Sequence, residues 1–155
     1  MTKVEEFLTK RGPQLRVSIS EGNKKMGDIP SVSLPPIVSF FTKERCDCNK
    51  KCYARCHVYC INKQSAACYE DNYYTLKNEP DMYWKAVEAT CMLNRVFRYH
   101  VSGDIIDLNY FEHMVDIAKR NPQCETLCFT KKYGLEQFFR LSNIISLGKN
   151  DSTFE

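Results

Sequence analysis

The sequence lacks an apolar run of roughly 18 residues, so no membrane-spanning helix is expected. It also lacks the marks of a secretory leader. Met1-Thr2-Lys3-Val4-Glu5-Glu6 is charged, and no apolar stretch with a small-residue cleavage site follows. The expected setting is therefore cytoplasmic and reducing, where stable disulfides are uncommon. A strong charge of one sign is missing too. A net charge of +3 is too small to argue for nucleic acid by itself. No internal repeat or low-complexity segment appears. Finally, there is no CxxC pair, the spacing that structural zinc sites favour.

What the chain does have is cysteine, nine in 155 residues. Six fall in one ladder: Cys46, Cys48, Cys52, Cys56, Cys60 and Cys68. An odd total rules out complete internal pairing. Lys43, Arg45, Lys50, Lys51, Arg55 and Lys63 surround the ladder, and a polar basic stretch is not a core. Buried small residues are the better reading for Cys91, Cys124 and Cys128. For the ladder, metal or cluster ligation is the leading reading. In a helix, Cys52, Cys56 and Cys60 would share one face. In a loop, three or four sulfurs would wrap one cluster. Basic neighbours stabilise thiolates and an anionic cluster. The missing CxxC moves the balance from zinc towards iron–sulfur. Free redox-active thiols remain the reading without metal. His57, inside the ladder, is a spare ligand at most, and His113 is incidental.

The length suits one domain, and an apolar share of 43% supports one core. Residues 1–30 read as a lead-in rich in turn formers, with Val17-Ser18-Ile19-Ser20 as a short edge strand. Residues 31–155 read as one α/β domain. Pro36 to Thr42 is a first strand candidate, followed directly by the cysteines. Ala66 to Leu76 and Asp81 to Asn94 read as helices, broken near Asn78-Glu79-Pro80. Val96 to Ser102 is a second strand. Leu108 to Arg120 is an amphipathic helix that Asn121-Pro122 stops. Thr126 to Thr130 is a third strand, and Leu135 to Leu147 a final helix. Strands alternating with helices predict three parallel strands, in an open sheet or a partial (β/α) barrel with the Cys-rich loop after the first strand.

In the second strand, alternation puts Arg98, His100 and Ser102 on one face. That stripe is either a solvent-facing edge or the polar wall of a site. Gly103 permits close approach of a ligand to backbone. Asp104 is placed to receive an amine or a metal-bound water, or merely to serve a turn. Lys131, after the third strand, is a candidate contact for phosphate or carboxylate, or part of a solvated Lys-Lys turn.

These segments together resemble a known family. Ser33-Leu34-Pro35-Pro36, Cys48-x3-Cys52-Tyr53-Ala54, Phe97 to Asp104, Asn121-Pro122 and Phe129-Thr130-Lys131-Lys132 are similar to the phage-associated gene-product-88 family. The likeness runs from about Ser31 to about Lys132. It extends distantly to radical-SAM proteins with a Cys-Tyr-Ala cluster loop. That comparison implies a [4Fe–4S] cluster on Cys48, Cys52 and Cys56, with one iron open to S-adenosylmethionine. It also implies that Ser102-Gly103-Asp104 meets the methionine amine. The spacing departs from the superfamily's CxxxCxxC. Cys46 and Cys60 are further candidate ligands, and a cluster closed by a fourth cysteine would not activate S-adenosylmethionine. The chain is also shorter than its relatives, as a short variant, a truncation or a half completed by a partner would be.

Two functions follow as expectations. One is an iron–sulfur protein of radical-SAM-like chemistry. The other is a non-catalytic, metal-stabilised module, with zinc as the alternative metal, that binds a host or phage protein or, less well supported, nucleic acid. A second copy of the chain completing the sheet is a further partner expectation.

Overall fold

The computed structural model describes residues 2–25, 27–36 and 62–130, together with the backbone of 144–146. The chain opens in a helix, α1 (Lys3–Arg11). Thr2 and Glu5 start it with a reciprocal cap: the Thr2 hydroxyl accepts from the Glu5 amide at 3.1 Å, and the Glu5 carboxylate accepts from the Thr2 amide at 2.6 Å. Val4 and Leu8, four apart, bury one stripe against Ala66 and Ala67 of the next helix. Gly12, at φ 71°, ends α1.

The helix it packs on is α2 (Lys63–Asn78), capped by the Asn62 side chain, which accepts from the Ser65 amide at 3.0 Å. Pro80 sits in the first turn of α3 (Pro80–Leu93). It fits there because no amide is needed, and it is why α2 cannot continue through it. The expected break near Asn78–Pro80 is therefore real. The amphipathic helix α4 (Leu108–Arg120) has the expected bounds. The Asp107 carboxylate caps it by accepting from the Tyr110 amide at 2.8 Å.

Among the described residues, five short strands make one open mixed sheet in sequence order: β1 (Ile19–Ser20), β2 (Ser31–Val32), β3 (Val96–Tyr99), β4 (Glu125–Cys128) and β5 (Ile144–Ser146). β1 is an antiparallel edge, as its sequence led one to expect of an edge strand. β2 to β5 are all parallel, one strand more than expected. In register, Ser31 and Val32 lie opposite Arg98 and Tyr99, and Tyr99 lies opposite Cys128.

Two expectations change. The described part of the final helix, residues 144–146, is strand β5, paired with the otherwise open edge of β4. The β-branched pair Ile144-Ile145 suits that role better than a helix end. A strand also begins the parallel set at Ser31, ahead of the expected Pro36–Thr42. Residues 37–42 of that candidate lie outside the described residues, as do Cys46, Cys48, Cys52, Cys56, His57, Cys60 and Lys131.

The two faces of the sheet differ. Val32, Phe97, Tyr99 and Cys128 are almost wholly buried against Tyr83, Trp84, Val87 and Cys91 of α3 and Phe111, Met114 and Ile117 of α4. This is the main core. On the other face stand Ser31, Ser33 and Arg98, beside the first turns of α2.

The link between α1 and β1 is held by side chains of α2. Asp71, wholly buried, accepts from both Arg11 Nη atoms, at 2.8 and 2.6 Å, and from the Gln14 amide at 3.0 Å. Thr75 Oγ1 accepts from the Arg16 amide and donates to the Arg16 carbonyl. Asn72 does the same for Ser18, at 2.6 and 3.1 Å. Three polar side chains one helical turn or less apart thus replace the backbone ladder that residues 11–18 do not have.

Candidate functional site

The carboxyl ends of parallel strands are where open α/β sheets place their ligands. Here β2, β3 and β4 end side by side, and each continues into polar residues. After β2 come Ser33 and Leu34. After β3 comes His100 to Asp104, and after β4 come Phe129 and Thr130.

These continuations are tied together. The His100 amide donates to the Val32 carbonyl at 3.0 Å, and the Leu34 amide to the Ser102 carbonyl at 2.9 Å. Ser33 Oγ accepts from the amides of Val101 and Ser102, both at 3.2 Å. The Ser33 carbonyl in turn accepts from Asn72 Nδ2 at 2.8 Å. Asp104 Oδ1 accepts from the Thr130 hydroxyl and from the Ile105 amide. Ser33, Ser102, Gly103, Asp104 and Thr130 therefore lie along one sheet edge.

Gly103 sits at φ 88°. The space beside it belongs to the protein itself, since a Cβ there would stand 2.8 Å from Leu34 Cβ. Its close approach is to Leu34 rather than to a ligand.

The stripe read from alternation divides. Arg98 lies on the polar face, its guanidinium 5.0 Å from the centre of the Phe129 ring. His100 has a left-handed backbone, φ 64°, which interrupts the alternation. Its ring meets α4: Nε2 is 2.8 Å from the Tyr110 hydroxyl, which is 2.7 Å from the Tyr83 hydroxyl. Trp84 packs on Tyr110 and stacks on His113. His113 thus has a packing role on the aromatic cluster.

This cluster is buried, and its titration reflects that. Burial, with the Arg98 charge second, pushes His100 from 6.5 down to about 3. It is a neutral imidazole at physiological pH. Burial raises Tyr83, Tyr99 and Tyr110 as well. Among the described residues, His100 Nδ1, Tyr99 Oη and Ser102 Oγ are buried with no hydrogen-bond partner.

The His100 shift carries a pH prediction. The unfolded imidazole takes up a proton as pH falls through 6.5, and the folded one does not. The stability it contributes is whole above pH 6.5 and is lost as pH falls towards about 3. Between pH 7 and pH 5 that loss is about 2 kcal/mol. Urea unfolding at both pH values is expected to show that extra loss in the wild type but not in His100→Asn, since Asn tolerates the left-handed backbone. Parallel pH dependence in the two proteins would contradict it.

Cys91, Cys124 and Cys128 are buried small residues, as expected. Burial pushes the Cys91 thiol up to about 12 and raises Cys124 and Cys128 too, so none is a reactive thiolate. Cys68, on α2, accepts from Arg16 Nη2 at 3.4 Å. Among the described residues, no group of three or more His, Cys, Asp or Glu is placed to hold a metal ion. No described helix is long and apolar enough to cross a membrane.

Sequence reasoning missed Tyr110 as the partner of His100, Tyr83 as the partner of Tyr110, and Asn72 as the brace beneath Ser33. No local pattern signals them, because each acts across at least 10 residues of chain.

No curated protein and no solved structure matches the chain. A family match does exist. It spans residues 8–148, from the end of α1 past β5, and so covers both the sheet and the cysteine ladder. The chain belongs to the gene product 88 family.

Proposed function

We propose that this protein holds a [4Fe–4S] cluster on the segment joining β2 to α2. Cys48, Cys52 and Cys56 are the proposed ligands, with Cys46 and Cys60 beside them. One observation carries the reading: five thiols fall within residues 46–60, in a connection that leaves the carboxyl end of a parallel strand. The donor set suits the group, because iron–sulfur clusters are held by closely spaced thiolates. Such a cluster would supply one-electron chemistry. The chain's own residues at that sheet edge, Ser102, whose hydroxyl has no partner among the described residues, and Asp104 beside Thr130, would orient a polar ligand there. The distant radical-SAM likeness makes S-adenosylmethionine the first ligand to test.

A second reading is a non-catalytic module that binds a host protein or nucleic acid, stabilised by zinc. Its support is the run of Lys and Arg around the cysteines.

Single serine variants, purified without oxygen, separate the two readings. Cys52→Ser is expected to lose most of its iron, while Cys68→Ser keeps it. A reduced-state EPR signal altered by S-adenosylmethionine would report an open iron. Iron indifferent to Cys48, Cys52 and Cys56 would overturn the ligand assignment, and zinc in place of iron would favour the second reading.

A further inference from the structure

The two most exposed large apolar side chains among the described residues are neighbours in the last turn of α3: Leu93 is 85% exposed and Met92 63%. Leu93 also lines a groove of about 470 Å³ between α3 and the edge strand β1. Ile19, Pro30 and Ala89 continue its apolar lining, and Glu21 and Asp28, both exposed, add two acidic residues. Apolar surface gathered beside a groove marks an interaction site rather than a core. The end of α3 adds to the negative charge. It is the one described helix with no basic residue in its last turn, whereas α1, α2 and α4 carry Lys10 and Arg11, Lys77, and Lys119 and Arg120 there. The next basic residue, Arg95, stands beyond the Asn94 cap. The carboxyl end of a helix favours a cation. An apolar lining for the stem and negative charge for the head complement a lysine side chain. The same surface presents that group. The chain turns back between Asn23 and Gly27, which bridge one another. Lys24 and Lys25 stand exposed at that turn, with Glu21 and Asp28 at its base. None of these four is in an ion pair among the described residues. Two copies set antiparallel about a twofold axis bring the turn of each to the base of the other, the self-complementarity that a symmetric dimer contact needs.

We propose that this face joins two copies of the chain, with Lys24 and Lys25 of each copy entering the groove of the other. Their stems lie on Leu93 and Ala89, and their ammonium groups meet Glu21 and Asp28. The proposal is independent of the cluster.

The test is sedimentation equilibrium of the full chain, purified without oxygen. Monomer and dimer are expected, with a Kd of about 100 μM or tighter at low salt that weakens as salt rises. Two double variants change exposed side chains alone: Lys24→Glu with Lys25→Glu, and Glu21→Lys with Asp28→Lys. Each is expected to unfold like the wild type, yet to dimerise at least about 10-fold more weakly, because like charges then face each other. Mixed in equal amounts, the two variants regain opposite charges on both halves of the contact. A heterodimer is expected, with an affinity within roughly threefold of the wild type's. Leu93→Ser is expected to weaken the dimer roughly 10-fold, as for one leucine no longer buried. A wild-type chain that stays monomeric at about 1 mM would overturn the proposal. So would a dimer indifferent to both charge reversals, or a mixture of the two variants that stays monomeric.

Discussion

Asp71→Ala is expected to destabilise the protein by about 3 kcal/mol, the lower end of the cost of breaking a buried ion pair. Asp71 has no exposed surface and gathers four donors: both Arg11 Nη atoms, Arg16 Nε at 3.3 Å and the Gln14 amide. Without the carboxylate, two guanidinium groups face each other over a buried gap, and a backbone amide loses its acceptor. The Arg16 side chain is half exposed and Arg11 is 17% exposed, so both recover some hydration. That recovery keeps the loss from being larger. Asp71→Asn retains an acceptor for Gln14 and should lose less. Urea unfolding at pH 7 measures both. A loss within about 0.5 kcal/mol, as for an ordinary surface site, would mean that α2 does not hold the 11–18 segment through this residue.

Gly103→Ala is expected to cost a similar amount, about 3 kcal/mol, from left-handed strain plus overpacking. The added Cβ would stand 2.8 Å from Leu34 Cβ and 2.9 Å from Leu34 O. Leu34 is 2% exposed and is tied by its amide to the Ser102 carbonyl, so it cannot yield without parting β2 from β3. Gly12 is the built-in control. Its φ of 71° is also left-handed, but nothing lies within 4 Å of a Cβ there. Gly12→Ala should therefore cost only the backbone strain, about 2 kcal/mol, and less than Gly103→Ala. Equal unfolding midpoints for the two variants would show that the Leu34 contact does not matter. The position is useful because Gly103 locks together the two strand ends that carry Ser33, Ser102 and Asp104.

The legible parts of the fold are those written locally. Leu108–Arg120 has a clean apolar stripe, an Asp107 cap and an Asn121-Pro122 stop, and the structure has that helix. Pro80 announced the α2–α3 break. Thr2-x-x-Glu5 was an equally local cap signal for α1, within a segment read as lead-in. β2 has only two residues, too few to show any period, and its place is set by pairing with Arg98 and Tyr99 far along the chain. β5 likewise forms by pairing with β4.

At the site, the sheet edge with Ser102, Gly103 and Asp104 was legible from strand-end position. The direction of His100 was not. A left-handed backbone at a non-glycine residue is held by tertiary contacts, here Tyr110 and the Val32 carbonyl, and no pattern of period two foretells it.

The central claim is the cluster, and its most direct test is the content of iron, acid-labile sulfide and zinc per chain after purification without oxygen. The account predicts about four irons and about four sulfides, with no stoichiometric zinc. One zinc without iron, or no metal at all, would contradict it.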